Sequence, residues 1–379
     1  AASLACATAH SLEHLIVARA VQGIGGAMMV PVGRLIVLRS VPKANMVDAL
    51  AYLSIPALMA PMFGPPIGGF VTTYFDWRWI FWINLPIGML GLALAQRYMP
   101  NIRAEAPRRM DWRGFALAGP GVGALISGLT LAGTDVVALW FAQALIAAGF
   151  ALLVLYIRHA LRVPEPLLDL RLLKLPTFRT SVVGGGLSRL GTGAIPFLLP
   201  LMLQVGFGLT PFQSGMITFS GALGALLMKF AARPLLRRFG FRQVLTFNAL
   251  ICAAMLGLYA LFTPETPHIV IGLVLLAGGF FRSLQFTCLN ASAFADVDEK
   301  SMSGATAMVA VAQQLFLSTG VAMAAFILET LRAAGDSGLL TAGDFSVAFL
   351  VVAGLTGLAA IMHGRLPRDA GRAVSGHDS

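Results

Sequence analysis

Apolar side chains in this sequence are gathered into blocks of about 20 residues separated by short polar connections. At 1.5 Å per residue a helix needs about that length to cross a hydrocarbon core of about 30 Å, so each block predicts a membrane-spanning helix. The blocks lie at 14–38, 47–73, 78–98, 113–133, 138–158, 180–205, 211–232, 243–263, 268–290, 303–328 and 345–364. Residues 1–9 (AASLACATA) read as the end of a further span, because the sequence opens on Ala1 inside an apolar stretch with no initiator Met and no basic leader. The pattern predicts an all-α polytopic membrane bundle, truncated at its N-terminus, with about eleven complete spans and one partial one.

Composition agrees: 57% of residues are hydrophobic and only 12% charged, with a mean hydropathy of +0.80. A soluble domain of 379 residues could not bury that much apolar surface. The net charge of +10 raises the question of nucleic acid, but a nucleic-acid binder concentrates its Lys and Arg on one soluble face. Here 21 of them fall in one set of alternate connections, and the opposite set holds only Arg78 and Arg332. Cytoplasmic loops carry the Lys and Arg excess. The richer set is therefore placed inside, with the C-terminus cytoplasmic and the plasma (inner) membrane as location. No nucleic-acid partner is expected.

Two cytoplasmic connections, near 99–112 and 159–179, are longer than the rest and bracket a helix pair at 113–158. The domains expected are the remainder of an N-terminal bundle (1–98), linkers with two inserted helices (99–179), a C-terminal bundle (180–364) and a disordered tail (365–379). Cys6, Cys252 and Cys288 all lie in apolar blocks without CxxC spacing, which indicates neither disulfides nor zinc. His10 and His14 flank Glu13 but lack a third ligand. No metal site and no cofactor are predicted.

In the second complete span, Ala60, Gly64 and Gly68 recur every four residues, a row of minimal side chains where another helix can approach closely. Pro65 removes one helical hydrogen bond and favours a kink. The run Gly64-Pro65-Pro66-Ile67-Gly68-Gly69 resembles the antiporter motif of the major facilitator superfamily. Upstream, Arg19, Gln22 and Gly23, followed by Gly25, Gly26 and Pro31, resemble that family's fourth-span motif. Downstream, Asp76-Trp77-Arg78 through Asn84, Pro86 and Gly88 resembles the start of the sixth span in its fourteen-span drug:proton antiporter branch.

The resemblance covers the whole chain, with the helix pair at 113–158 matching the branch's central insert. It implies two pseudo-symmetric bundles, export of small molecules and exchange against protons. Arg238, Gly240 and Arg242 resemble a second-half copy of the superfamily's cytoplasmic loop motif, without its usual acidic residue; plain positive-inside anchoring is the alternative. The family's first-repeat loop motif and, in many members, its proton-coupling carboxylate would precede Ala1.

Ionisable groups near the membrane midplane cost about 2.5–3.5 kcal/mol to insert and are functional candidates by default. Arg189 and Arg282 hold such positions, and all 17 acidic residues fall in loops, the tail or the outer turns of spans. Both arginines are expected to face an anionic cargo, gripping it with paired hydrogen bonds; the alternative is that they satisfy backbone carbonyls or line a watery crevice. Gln204, Gln285, Asn290, Gln313 and Gln314 are further polar candidates for the cavity wall, Gln285 sharing a helix face with Arg282.

No HExxH, GxSxG or nucleotide loop supports a membrane enzyme, and no soluble segment is long enough for a sensor or scaffold. The reading is a secondary exporter, not an enzyme, acting by proton antiport as a monomer in the lipid bilayer, of multidrug type or for an anionic metabolite or metal chelate. The charge alternation makes a topology prediction. A reporter fused after Ser379 should be active only in its cytoplasmic form, and one inserted at Glu265 only in its external form; the reverse pair of signals would invert the assignment.

Overall fold

The computed structural model describes residues 1–42, 45–46, 48–50, 52–53, 71, 75–99, 110–132, 138–298, 301–334, 340–367 and 370–375. The antiporter-motif residues Ala60, Gly64, Pro65, Gly68 and Gly69, and most of the span at 47–73, lie outside the described residues. Among those described, nine helical stretches are long and apolar enough to cross a membrane. The block at 211–232 is a 17-residue helix, Pro211–Leu227, continued by a 3-10 turn at Met228–Phe230. The chain divides into two compact units, residues 1–40 with 53–108, and residues 41–52 with 109–379.

The first unit contains α1 (Ala2–Ala7), α2 (Leu12–Ser40), α3 (Trp79–Trp82) and α4 (Asn84–Tyr98). Here the fourth-span motif ties the chain to its own N-terminal stub. Arg19 Nη1 donates to Gln22 Oε1 at 2.6 Å, and Gln22 Nε2 donates to Ser3 Oγ at 2.9 Å. Arg19 also lies over the Phe81 ring, 5.8 Å from its centroid, while no described residue would lie within 4 Å of a methyl at Gly23.

The second unit begins with α5 (Trp112–Ala132) and α6 (Leu139–Ala160), an antiparallel pair. Asp111 caps α5 by accepting from Gly114 N at 2.8 Å, and it also bonds His159 Nε2 at 2.9 Å and Leu167 N at 3.3 Å. Burial pushes the Asp111 carboxyl up, but those hydrogen bonds outweigh it and hold it below the usual carboxylate range. The helix pair is thus clasped to the linker that follows it. Tyr156 adds a second clasp, its hydroxyl accepting from Leu168 N at 2.7 Å.

After a short helix α7 (Pro176–Arg179), α8 (Gly185–Leu201) is flanked by π turns at Thr180–Gly184 and Met202–Gly206. Pro196 and Pro200 within α8 withhold two helical donors, and the widened turn follows directly after them. The bundle is completed by α9 (Pro211–Leu227), α10 (Ala232–Tyr259), α11 (His268–Ala293), α12 (Met302–Ala334) and α13 (Ala342–Gly364). Thr210 opens α9 with a capping box, its hydroxyl accepting from Gln213 N and Gln213 Oε1 accepting from Thr210 N. Gly240, in the loop motif, takes φ 68° and turns α10 from a short basic segment into its long apolar one. Arg238 stacks over the adjacent Phe239 ring at 5.4 Å.

Helix α8 packs on α12 and α13, α9 on α11, and α10 on both α11 and α13. Leu198, Met202, Ile271, Phe345, Phe349 and Val352 form the shared apolar core. The tail read as disordered contains one helical turn, α14 (Arg372–Ser375), with Val374 buried.

Crossing α8 and α12 is made possible by two glycines facing each other's backbones. A methyl at Gly193 would collide with the Leu317 carbonyl, and one at Gly320 with the Leu190 carbonyl. Gly193→Ala and Gly320→Ala should each destabilise the protein by about 1–3 kcal/mol, as overpacking typically does. Gly354→Ala, where the added methyl meets open space, is the control. Thermal unfolding in detergent checks this: Gly193→Ala and Gly320→Ala melt below the parent and the control does not, whereas equal melting of all of them would refute the crossing argument.

Candidate functional site

Within the second unit, α8, α10, α11 and α13 line a narrow, partly open cavity of about 20 Å³. Each long helix contributes one face at helical spacing: Ser188, Thr192 and Ile195 from α8; Cys252, Met255, Leu256 and Tyr259 from α10; Gly278, Arg282 and Gln285 from α11. Thr356 of α13 completes the lining. The wall is amphiphilic, its hydroxyls and one guanidinium interspersed with aliphatic and aromatic groups. Tyr259 lies against Gly278, where a methyl would strike its hydroxyl, and is stacked on Phe262 and edge-on to Phe349, each at 5.8 Å.

A buried hydrogen-bond network backs the cavity. Asn248 of α10 donates through Nδ2 to the Phe281 carbonyl at 2.9 Å and to Gln285 Oε1 at 2.8 Å. Gln285 Nε2 in turn faces the Leu245 carbonyl at 3.4 Å and His363 Nδ1 at 3.5 Å. Asn248, Gln285 and His363 are 3%, 3% and 0% exposed.

The residues expected from the sequence are distributed unevenly around this site. Arg282 and Gln285 line the cavity together. Arg189 is buried next to it, and its Nη1 donates to the Ser181 carbonyl at 2.8 Å, so the side chain runs back along its own helix. Asn290 is buried but donates to the Phe286 carbonyl at 2.8 Å, within α11. Gln204 sits half-buried in the second π turn and Gln313 half-buried on α12. Gln314 is exposed and donates to Ser318 Oγ at 3.5 Å. None of these last five is among the cavity's lining residues.

Ser188, Thr192, Thr356, Asn248 and His363 were not singled out from the sequence. The signal for Ser188 and Thr192 was their i, i+4 spacing in the same span as Arg189. For Asn248 and His363 the signal was weaker, each being one polar residue in an otherwise apolar stretch.

Nine membrane-length helical stretches among the described residues make this a polytopic helical membrane protein. The chain belongs to the major facilitator superfamily, whose family profile matches residues 1–321 and again 181–377. It is 34% identical over 369 residues to proteins of Salmonella heidelberg (strain SL476) and Salmonella typhimurium (strain LT2) that bear the name multidrug resistance protein MdtD. Those alignments cover 97% of this chain and 78% of each relative. The fold is also that of the crystal structure of the human organic anion transporter MFSD10 (TETRAN), with a TM-score of 0.65 at 16% identity, covering 96% of this chain and 74% of that one.

Proposed function

We propose that the protein exports small amphiphilic molecules across the cell membrane by proton antiport, as a monomer, in the manner of a multidrug efflux carrier. The observation that carries this reading is the cavity of the second bundle, whose lining combines Arg282, Ser188 and Thr192 with Ile195, Met255 and Tyr259. Such a wall binds an apolar body and orients it by a few polar groups. The multidrug-resistance names of the relatives support the direction and class of transport. The antiporter motif resemblance at Gly64–Gly69 supports exchange against protons.

A second reading, export of an anionic metabolite or metal chelate, is favoured by one feature. The described lining holds a permanent cation, Arg282, and no carboxylate. Arg189, one residue after Ser188, adds a second positive charge behind the same wall.

Efflux of fluorescein, an anion, and of ethidium, a cation, from cells expressing the full-length protein separates the two readings. A charge-assisted hydrogen bond contributes about 1.5–3 kcal/mol, so Arg282→Gln should slow fluorescein efflux about tenfold or more and spare ethidium. Arg189→Gln should have the smaller effect. Unchanged fluorescein efflux by both variants would remove the anionic reading. Absence of pH-gradient-dependent efflux of either compound by the parent would remove proton-driven export.

A further inference from the structure

Several donors on the cavity wall are left unused by the protein around them. Ser188 is only 6% exposed, yet no described group bonds its Oγ. The two threonine hydroxyls of the lining behave differently. Thr192 Oγ1 donates to the Ser188 carbonyl at 3.1 Å and Thr356 Oγ1 to the Val352 carbonyl at 2.8 Å, each within its own helix. The Ser188 proton therefore remains for an occupant of the cavity that Ser188 lines.

Arg282 belongs to the same lining, and no ion pair among the described residues includes it. Its guanidinium is permanently charged and can only donate. Tyr259 sets its hydroxyl against Gly278, one helical turn before Arg282 on α11, so the phenol and the guanidinium meet the cavity on one face. The described lining has no carboxylate to balance the charge. A cation left unpaired among apolar side chains is costly. A water molecule would answer the hydroxyls but not the charge.

We infer that Arg282, Ser188 and Tyr259 hold a single halide ion in the second bundle. In this conformation the cavity, at about 20 Å³, has room for an occupant of about water's size. Chloride is little larger than water, carries one negative charge and accepts hydrogen bonds from several directions at once. Sulfate is bulkier and brings a second charge. The cavity is partly open, which lets the ion exchange. The site goes beyond the cargo readings, because it does not depend on which molecule is carried. An anionic cargo has to displace the halide to reach Arg282, and a cationic one does not.

The test is the width of the chlorine-35 resonance of chloride mixed with the full-length protein in detergent, gluconate holding the ionic strength constant. The expected result is a broadening that bromide reverses and sulfate does not. Ser188→Ala and Tyr259→Phe should each weaken chloride binding about tenfold, the loss of one hydrogen bond to a charged group, and Arg282→Gln should abolish the broadening. Arg332→Gln, which removes an exposed cation outside the lining, should leave it unchanged. Broadening that persists in Arg282→Gln would overturn the inference. Should that variant not fold, unchanged chloride affinity in both Ser188→Ala and Tyr259→Phe would overturn it instead. Absence of bromide-reversible broadening by the parent would overturn the halide site, and would leave the cargo readings standing where the same sample still binds fluorescein or ethidium.

Discussion

Inside a bilayer no water is available to satisfy a polar group, and this constraint shapes the structure at every scale. Backbone donors and acceptors are paired along helices, and where Pro196 and Pro200 break that pairing the helix widens into a π turn within a well-packed bundle. Since lipid tails give little apolar driving force between helices, close backbone approach replaces it. Gly193 and Gly320 are the clearest instance. The same constraint gathers side chains: Asn248, Gln285 and His363, scattered over three helices, meet in one network behind one cavity.

The sequence revealed what depends on local pattern. Span lengths come from hydrophobic blocks, and nearly all of those at described positions became membrane-length helices, with the block at 211–232 forming a shorter helix and a 3-10 turn. Gly240 marks a turn because a left-handed backbone is available to it at little cost. The short tail helix was not legible, since the burial of Val374 depends on residues distant in sequence.

The site was legible in part for the same reason. Arg282 and Gln285 share a face of α11, and three residues of spacing are enough to infer it. Arg189 follows Ser188 by one residue, yet a helix rotates 100° per residue, so Ser188 lines the cavity and Arg189 reaches back to Ser181. Which of two neighbours faces inward is decided by α12 and α13 packing on α8. Asn248 and His363 acquire meaning only when α10, α11 and α13 come together; separately, each is one polar residue in an apolar helix.

The account turns on cargo occupying the cavity of the second bundle. Cys252 lines that cavity, while Cys6 and Cys288 are buried elsewhere, so the native thiol is a direct reporter. Its rate of modification by N-ethylmaleimide, followed by mass spectrometry of the peptide in membranes of the full-length protein, should fall severalfold when a transported compound is present at saturation. An unchanged rate, measured while the same compound is being exported, would contradict the account.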